Sequence, residues 1–234
     1  MTASPDLSSC WRWPQTRTLA HGQPRSRVAL VLLLGALTLV PAAPAFAQQE
    51  SAQTRALKRA AESRMKGEAN APVLVYEIAD FQCPYCARFA VEVFRQIDSA
   101  YVKTGKVRWV FVNLPAPNHA NAWLASEAAL CGGAEAGRFW AMHDRLYGAP
   151  QEWVLLPDPA PVFARYAKEA GVPPDAYQAC VAGDRVSSLI LQDVLFGSGV
   201  TGTPTFVINN QQTVVGMKSF TEWQELLEAA LKRK

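Results

Sequence analysis

Residues 73–94, VLVYEIADFQCPYCARFAVEVF, constrain this chain more than any other stretch. The first seven are an almost unbroken apolar run, which suits a central strand covered on both faces. Cys83, Pro84, Tyr85 and Cys86 follow. From there Cys86, Phe89, Ala90, Val93, Phe94, Ile97 and Tyr101 recur at three- and four-residue steps, predicting an amphipathic helix that ends near Gly105. Pro84 falls in the first turn, where its missing N–H is not needed. A strand therefore delivers two thiols to a helix N-terminus. Unpaired backbone N–H groups and the positive end of the helix dipole favour thiolate over thiol there.

That placement suits thiol–disulfide exchange. Zinc sites use the same C-x-x-C spacing. Their further ligands would have to be Cys131, Cys180, His119 or His143, which are distant in sequence and show no second ligand spacing. An inert structural bridge is the third reading.

The cysteine count is meaningful only with the chain's address. Arg12, Arg17, Arg25 and Arg27 precede an uncharged apolar run over residues 28–40, and Ala45-Phe46-Ala47 supplies a small-x-small cleavage pattern. Residues 1–47 are thus expected to be a secretory signal peptide; the run is short for a span, which takes about 20 apolar residues, and an uncleaved anchor is the alternative. Of 23 Lys+Arg and 20 Asp+Glu, the segment holds four and one, so the remainder balances at 19 each. The basic excess belongs to the address, and composition gives no reason to expect nucleic acid or anionic lipid as a partner. Cys10 leaves with the segment. Four cysteines in an exported chain suggest disulfides, with three connectivities open. Proximity favours Cys83–Cys86, which leaves Cys131–Cys180.

The expected organisation follows from the remaining patterns. Residues 48–71 form an N-terminal helix or linker. Residues 72–117 contain strand, helix and strand (107–113, VRWVFVN), a βαβ unit with parallel strands. Residues 118–197 read as a helical insertion, with helices over 121–131 stopping at Gly132-Gly133, then 137–147, 162–170, 174–182 and 185–196. Residues 198–234 return to strand at 205–209, turn at Asn209-Asn210, pair back over 213–215, and end in a helix opened by the capping-box sequence Ser219-Phe220-Thr221-Glu222. The fold class is α/β.

Asp80-Phe81-Gln82-Cys83-Pro84-Tyr85-Cys86, the later GVTGTPTF over residues 199–206, and Phe139-Trp140-Ala141-Met142-His143-Asp144 between them together resemble the DsbA-like branch of the thioredoxin superfamily. The resemblance covers roughly residues 72–231. It implies a thioredoxin-like fold with a helical insertion between the βαβ half and a C-terminal ββα half. It implies that Cys83 is the exposed nucleophile, Cys86 the buried resolving thiol, and Pro204 a cis-proline facing them. Thr203 would then offer backbone groups to an extended substrate, with Pro84 and Tyr85 also in contact with it. It makes Glu77 a buried acid with a raised pKa that shuttles a proton for Cys86; a surface-edge glutamate is the plain alternative.

The sequence departs from the best-known DsbA at Tyr85, where a histidine would help hold the thiolate, and at Thr203, where that protein has valine. A milder oxidant is the consequence. The expected activity is an exported, periplasmic thiol–disulfide oxidoreductase that introduces disulfides into reduced secreted proteins, acts as a monomer, and is recycled by a membrane quinone-linked partner. It requires no organic cofactor and no metal. An isomerase or reductase using the same cysteines, or a peptide-binding chaperone module, are the rival readings. Cys131–Cys180 reads as a structural staple, with a second redox relay as its alternative, and His119 and His143 read as packing or surface residues.

Overall fold

The computed structural model describes residues 51–233. The expected signal peptide, Cys10 and residues 48–50 lie outside the described residues.

Strand β2 (Val73–Ala79) sits in the middle of a five-stranded sheet because its sequence can be covered on both faces and both edges. The order is β1-β3-β2-β4-β5. β3 (Val107–Asn113) runs parallel to β2, with Val73 opposite Val107 and Ala79 opposite Asn113. β4 (Thr205–Ile208) lies antiparallel on the other edge, with Glu77 opposite Phe206. β5 (Gln212–Val215) pairs back onto β4 as predicted. Asn209 and Asn210 both take positive φ, 51° and 57°, at the turn, a conformation that asparagine tolerates well.

A two-residue strand, β1 (Met65–Lys66), lies within the segment expected to be a helix or linker. Two residues carry no periodicity. Only the pairing of Met65 with Val110 and Lys66 with Trp109 makes them a strand, capping the β3 edge.

One face of the sheet is covered by the helical run that starts at the cysteines and by the C-terminal helix. That run is not one regular helix. α2 (Pro84–Arg88) passes into a π-helical segment (Phe89–Phe94), a single α turn α3 (Arg95–Ile97) and a second π segment (Asp98–Val102). Wider π turns rotate successive side chains less, and Phe89, Ala90, Val93 and Phe94 are all buried. Phe89, Val93 and Phe94 pack with Val73, Val75, Trp109, Phe206 and Ile208 of the sheet and with Trp223 and Leu227 of the last helix, α9 (Phe220–Lys232), while Ala90 joins the core around Phe81, Cys86 and Phe111. The capping box predicted at Ser219 and Glu222 is present.

Between β3 and β4 come five α-helices: α4 (Ala122–Ala136), α5 (Phe139–Gly148), α6 (Ala160–Glu169), α7 (Pro174–Ala182) and α8 (Ser187–Phe196). α4 does not stop at Gly132-Gly133. A Cβ on Gly132 would meet Met142 Cγ at 2.6 Å, and one on Gly133 would collide with Ser63 of α1 (Ala52–Ser63). The two glycines let helices approach, and the helix ends at Gly137, whose φ of 66° provides the left-handed cap. α1 lies on α4 with Ala56 and Ala60 buried, so the N-terminal segment is part of the packed structure. α8 docks on the opposite face of the sheet. There buried Asp193 accepts hydrogen bonds from the Asn113 backbone N–H at 2.9 Å and side chain at 2.8 Å, and pairs with Arg64.

Candidate active site

β2 ends at Ala79, and four residues later Cys83 stands as the N-cap of α2 in extended conformation. Its N–H is taken by the Asp80 carbonyl at 3.1 Å, and its own carbonyl receives Ala87 N–H at 3.1 Å. The Thr203–Pro204 peptide is cis, and Cys83 Sγ lies 3.4 Å from the Thr203 carbonyl oxygen. Residues separated by 120 positions thus meet at one sulfur. Strand β4, starting at Thr205 antiparallel to β2, brings them there.

Both thiols are free, and their environments differ. The Cys83 thiol is held down to about 5, first by a hydrogen bond from the Cys86 thiol, with burial opposing; the Thr203 side chain and the N–H groups of Cys86 and Tyr85 add to the lowering. Cys86, fully buried, is pushed well above the ordinary thiol range, first by burial and then by the Cys83 sulfur. One sulfur is stabilised as thiolate at neutral pH and the other as thiol. One expectation needs correction: Cys83 is not openly exposed but retains only 6% accessibility. It reaches solvent from the wall of an apolar depression of about 530 Å³, lined also by Phe81, Pro84, Ala87, Val154 and Leu155. Tyr85, by contrast, is 59% exposed, and it lines a second depression of about 500 Å³ with Thr203 and Met217.

Glu77 is entirely buried, not a surface-edge residue. Burial pushes its carboxyl up to about 8, against the partial relief of a hydrogen bond from the Trp109 indole N–H to Oε2 at 2.7 Å. Oε1 has no partner.

Two further clamps were not read from the sequence. Asp80, fully buried, accepts at Oδ1 from Gln82 N–H at 2.6 Å, and its Oδ2 lies 2.8 Å from Ala116 N and 2.7 Å from His119 Nδ1. His119, read as a lone histidine, therefore ties the loop after β3 to the cysteine loop. Gln82 Oε1 accepts the Asn121 N–H at 2.8 Å, while the Asn121 side chain donates to the carbonyls of Trp153, Val154 and Leu156. This fixes the proline-rich loop beside Cys83. The signal was present as polar residues flanking the motif, but their partners lie more than 30 positions away. His143 is 1% exposed and bonded to Asp144 at 2.9 Å among Phe81, Phe111 and Tyr147, as a packing residue.

Cys131 and Cys180 are joined, linking α4 to α7 with both sulfurs buried. They cannot supply ligands to a metal at Cys83 and Cys86.

A parallel β2–β3 pair, two cysteines at the following helix start, and a cis-proline opposite define a thioredoxin-type fold with helices set between its halves. The chain belongs to the thioredoxin family, whose model matches residues 59–229. The solved structure of α-DsbA1 from Wolbachia pipientis superposes with a TM-score of 0.65 at 22% identity, covering 73% of this chain and 91% of that one, so the fold is DsbA-like. Disulfide bond formation protein D of Bacillus subtilis is 25% identical over 177 residues, 72% of this chain and 77% of that protein. Na(+)/H(+) antiporter NhaA 3 of Salinispora tropica is 38% identical over 151 residues, 63% of this chain, but the chain spans only 22% of that protein's length. No helix among the described residues is long and apolar enough to cross a membrane.

Proposed function

We propose that this chain is a thiol–disulfide oxidoreductase that introduces disulfides into exported proteins through Cys83 and Cys86. The observation that carries the reading is the split between the two sulfurs: Cys83 held down to about 5 beside the Thr203 carbonyl, and Cys86 buried behind it with its thiol form favoured. A low-pKa sulfur is a good leaving group, and stabilising the reduced form makes the disulfide more oxidising. The similarity to a disulfide bond formation protein supports the same reading.

In the oxidase direction a client thiolate attacks Cys83 Sγ of the Cys83–Cys86 disulfide. The S–S bond breaks, and its electron pair leaves on the Cys86 sulfur, which takes up a proton with Glu77 as the buried donor. The mixed disulfide joins Cys83 to the client. The client's second thiolate then attacks its own partner sulfur and expels Cys83 as thiolate. The client has lost two electrons, and the enzyme holds them as a thiol and a thiolate. Thr203 and the two depressions beside Cys83 would seat an extended client chain, with Pro84 and Tyr85 at its edge. Export by residues 1–47, a periplasmic site of action, reoxidation by a membrane quinone-linked partner and action as a monomer complete the proposal.

The test is a redox titration of the protein against glutathione, with both cysteine pairs mapped by mass, alongside oxidation of a reduced, unfolded substrate. Interconversion of Cys83–Cys86 with substrate oxidation is expected. A strongly reducing potential would reassign the direction to reduction, and a pair that never interconverts would falsify the proposal. Activity that survives Cys83→Ser would make the protein a peptide-binding module instead.

A further inference from the structure

Trp109 occupies an unusual position for a core tryptophan. It stands on β3 opposite Val75, one pair removed on the same face from Phe111, the direct partner of Glu77. Its ring is fully buried and is gripped by Phe89 and Phe94 of the cysteine-bearing helical run, Phe206 of β4 and Trp223 of α9, at centroid distances of 6.2, 5.0, 5.9 and 5.4 Å. A ring held from three elements cannot turn away, so its one N–H stays aimed at Glu77 Oε2, 2.7 Å away. An indole nitrogen donates only. Oε2 is therefore an acceptor in every protonation state of the carboxyl. In a neutral carboxylic acid the carbonyl oxygen is the stronger acceptor, so the indole N–H favours the carbonyl at Oε2 and the proton on Oε1, the oxygen that is buried and without a partner.

We infer that Trp109 is the positioning residue of the Glu77 carboxyl: its indole N–H fixes Oε2 as acceptor and makes Oε1 the atom that takes up and releases the proton. This rests on the proposed exchange through Cys83 and Cys86. The neighbouring groups do not do the same work. The titratable and charged groups around this site are Cys83 and Cys86 at the start of α2, Asp80 after β2, Tyr147 and His143 of α5, and Lys66 of β1; the Tyr147 hydroxyl senses the charges of Glu77, Asp80 and the two cysteines, His143 packs on Phe94 and Phe111, and Lys66, opposite Trp109, lies over the Phe94 ring. Tyr147 donates to the Asp80 carbonyl at 3.1 Å. Phe206 and Trp223, facing from β4 and α9, carry no charge.

The hydrogen bond favours the charged carboxylate, so removing it raises the pKa of Glu77 further. Trp109→Phe keeps an aromatic ring in the same layer and deletes the donor. The Glu77 carboxyl band, assigned in infrared titrations by its loss in Glu77→Gln, is expected to titrate about one pH unit higher in Trp109→Phe. The corresponding limb of the exchange rate against pH is expected to move with it. In a Glu77→Gln background, Trp109→Phe is expected to leave the pH profile unmoved. An unshifted carboxyl titration in Trp109→Phe, or an equal shift of the profile with Glu77 absent, overturns the inference. The wild-type protein gives an independent reading that needs no folded variant at position 109: the Trp109 indole N–H resonance is expected to follow the Glu77 titration, and a pH-invariant resonance overturns the inference. If the wild type shows no exchange at all, the proposed function fails, while the infrared and resonance readings still decide the role of Trp109.

Discussion

The two cysteine pairs of this chain are both buried, yet they stand in opposite chemical situations. Cys83 and Cys86 are three residues apart at the start of one helix, one sulfur favoured as thiolate and the other as thiol. Cys131 and Cys180 are 49 residues apart, joined, and wholly buried between α4 and α7. A helix start provides free N–H groups and a dipole, so charge on sulfur is stabilised there. The other pair lies inside a helix packing interface, with no opening to solvent, and its covalent link restricts the unfolded chain. Reactivity follows from where the sulfur sits along its helix and what faces it, not from being a cysteine.

The comparison is easiest to break at the reactive pair. Cys83→Ser is expected to reduce substrate oxidation to the uncatalysed level while leaving thermal stability almost unchanged, as measured by turnover of a reduced substrate and by thermal unfolding. Replacing Cys131 and Cys180 together with alanine is expected to do the reverse. Exchange persists, and the unfolding free energy falls by about 2–5 kcal/mol, the usual cost of removing a native disulfide, as read by denaturant titration. If the double variant loses exchange at unchanged stability, the second pair is a redox relay.

A subtler test lies beside the staple. Glu127, one turn before Cys131 on α4, is pushed up to about 7 by burial and by the nearby Asp184. Its folded pKa exceeds its ordinary 4.5, so the neutral acid is the form that folding favours. The contribution is fully present below pH 4.5, declines as pH rises towards 7, and stays lost above it. Glu127→Gln removes this dependence. The variant is expected to gain about 1–2 kcal/mol over wild type between pH 4.5 and 8, a range lowered for partial solvent access. Denaturant midpoints at both pH values check it. At the reactive pair, the smallest expected effect belongs to Thr203→Val. Loss of the Thr203 side-chain hydrogen bond should raise the Cys83 pKa by about half a unit, measured from thiolate absorbance. A larger rise would give Thr203 more of the work now ascribed to Cys86.

Much of the sheet was legible because periodicity is local. The run at 73–79, the VRWVFVN strand and the capping box at Ser219 each appear where their own residues put them. Helix ends within the α4–α8 region were less legible. Gly132-Gly133 reads as a stop because glycine weakens an isolated helix, whereas in the folded chain the same two residues admit Met142 and Ser63. The two-residue β1 has no pattern at all without Val110 and Trp109 to pair with.

The sequence by itself determined the C-x-x-C at a strand-to-helix junction and the order of the longer elements around it, and it favoured Cys131–Cys180 as the remaining pair, which the structure joins. The junction and the order depend on neighbours a few residues apart. The resemblance carried by its motifs supplied the expectation of a buried acid at Glu77 and a cis-proline at Pro204, and the structure has both. Only the tertiary structure decided that Cys83 is nearly covered, that Thr203 reaches its sulfur, that Asp80 holds His119, and that Trp109 grips one oxygen of Glu77. The last three join groups 32 to 120 positions apart. Their distances, and the desolvation that moves their pKa values, exist only once the sheet has brought its strands together.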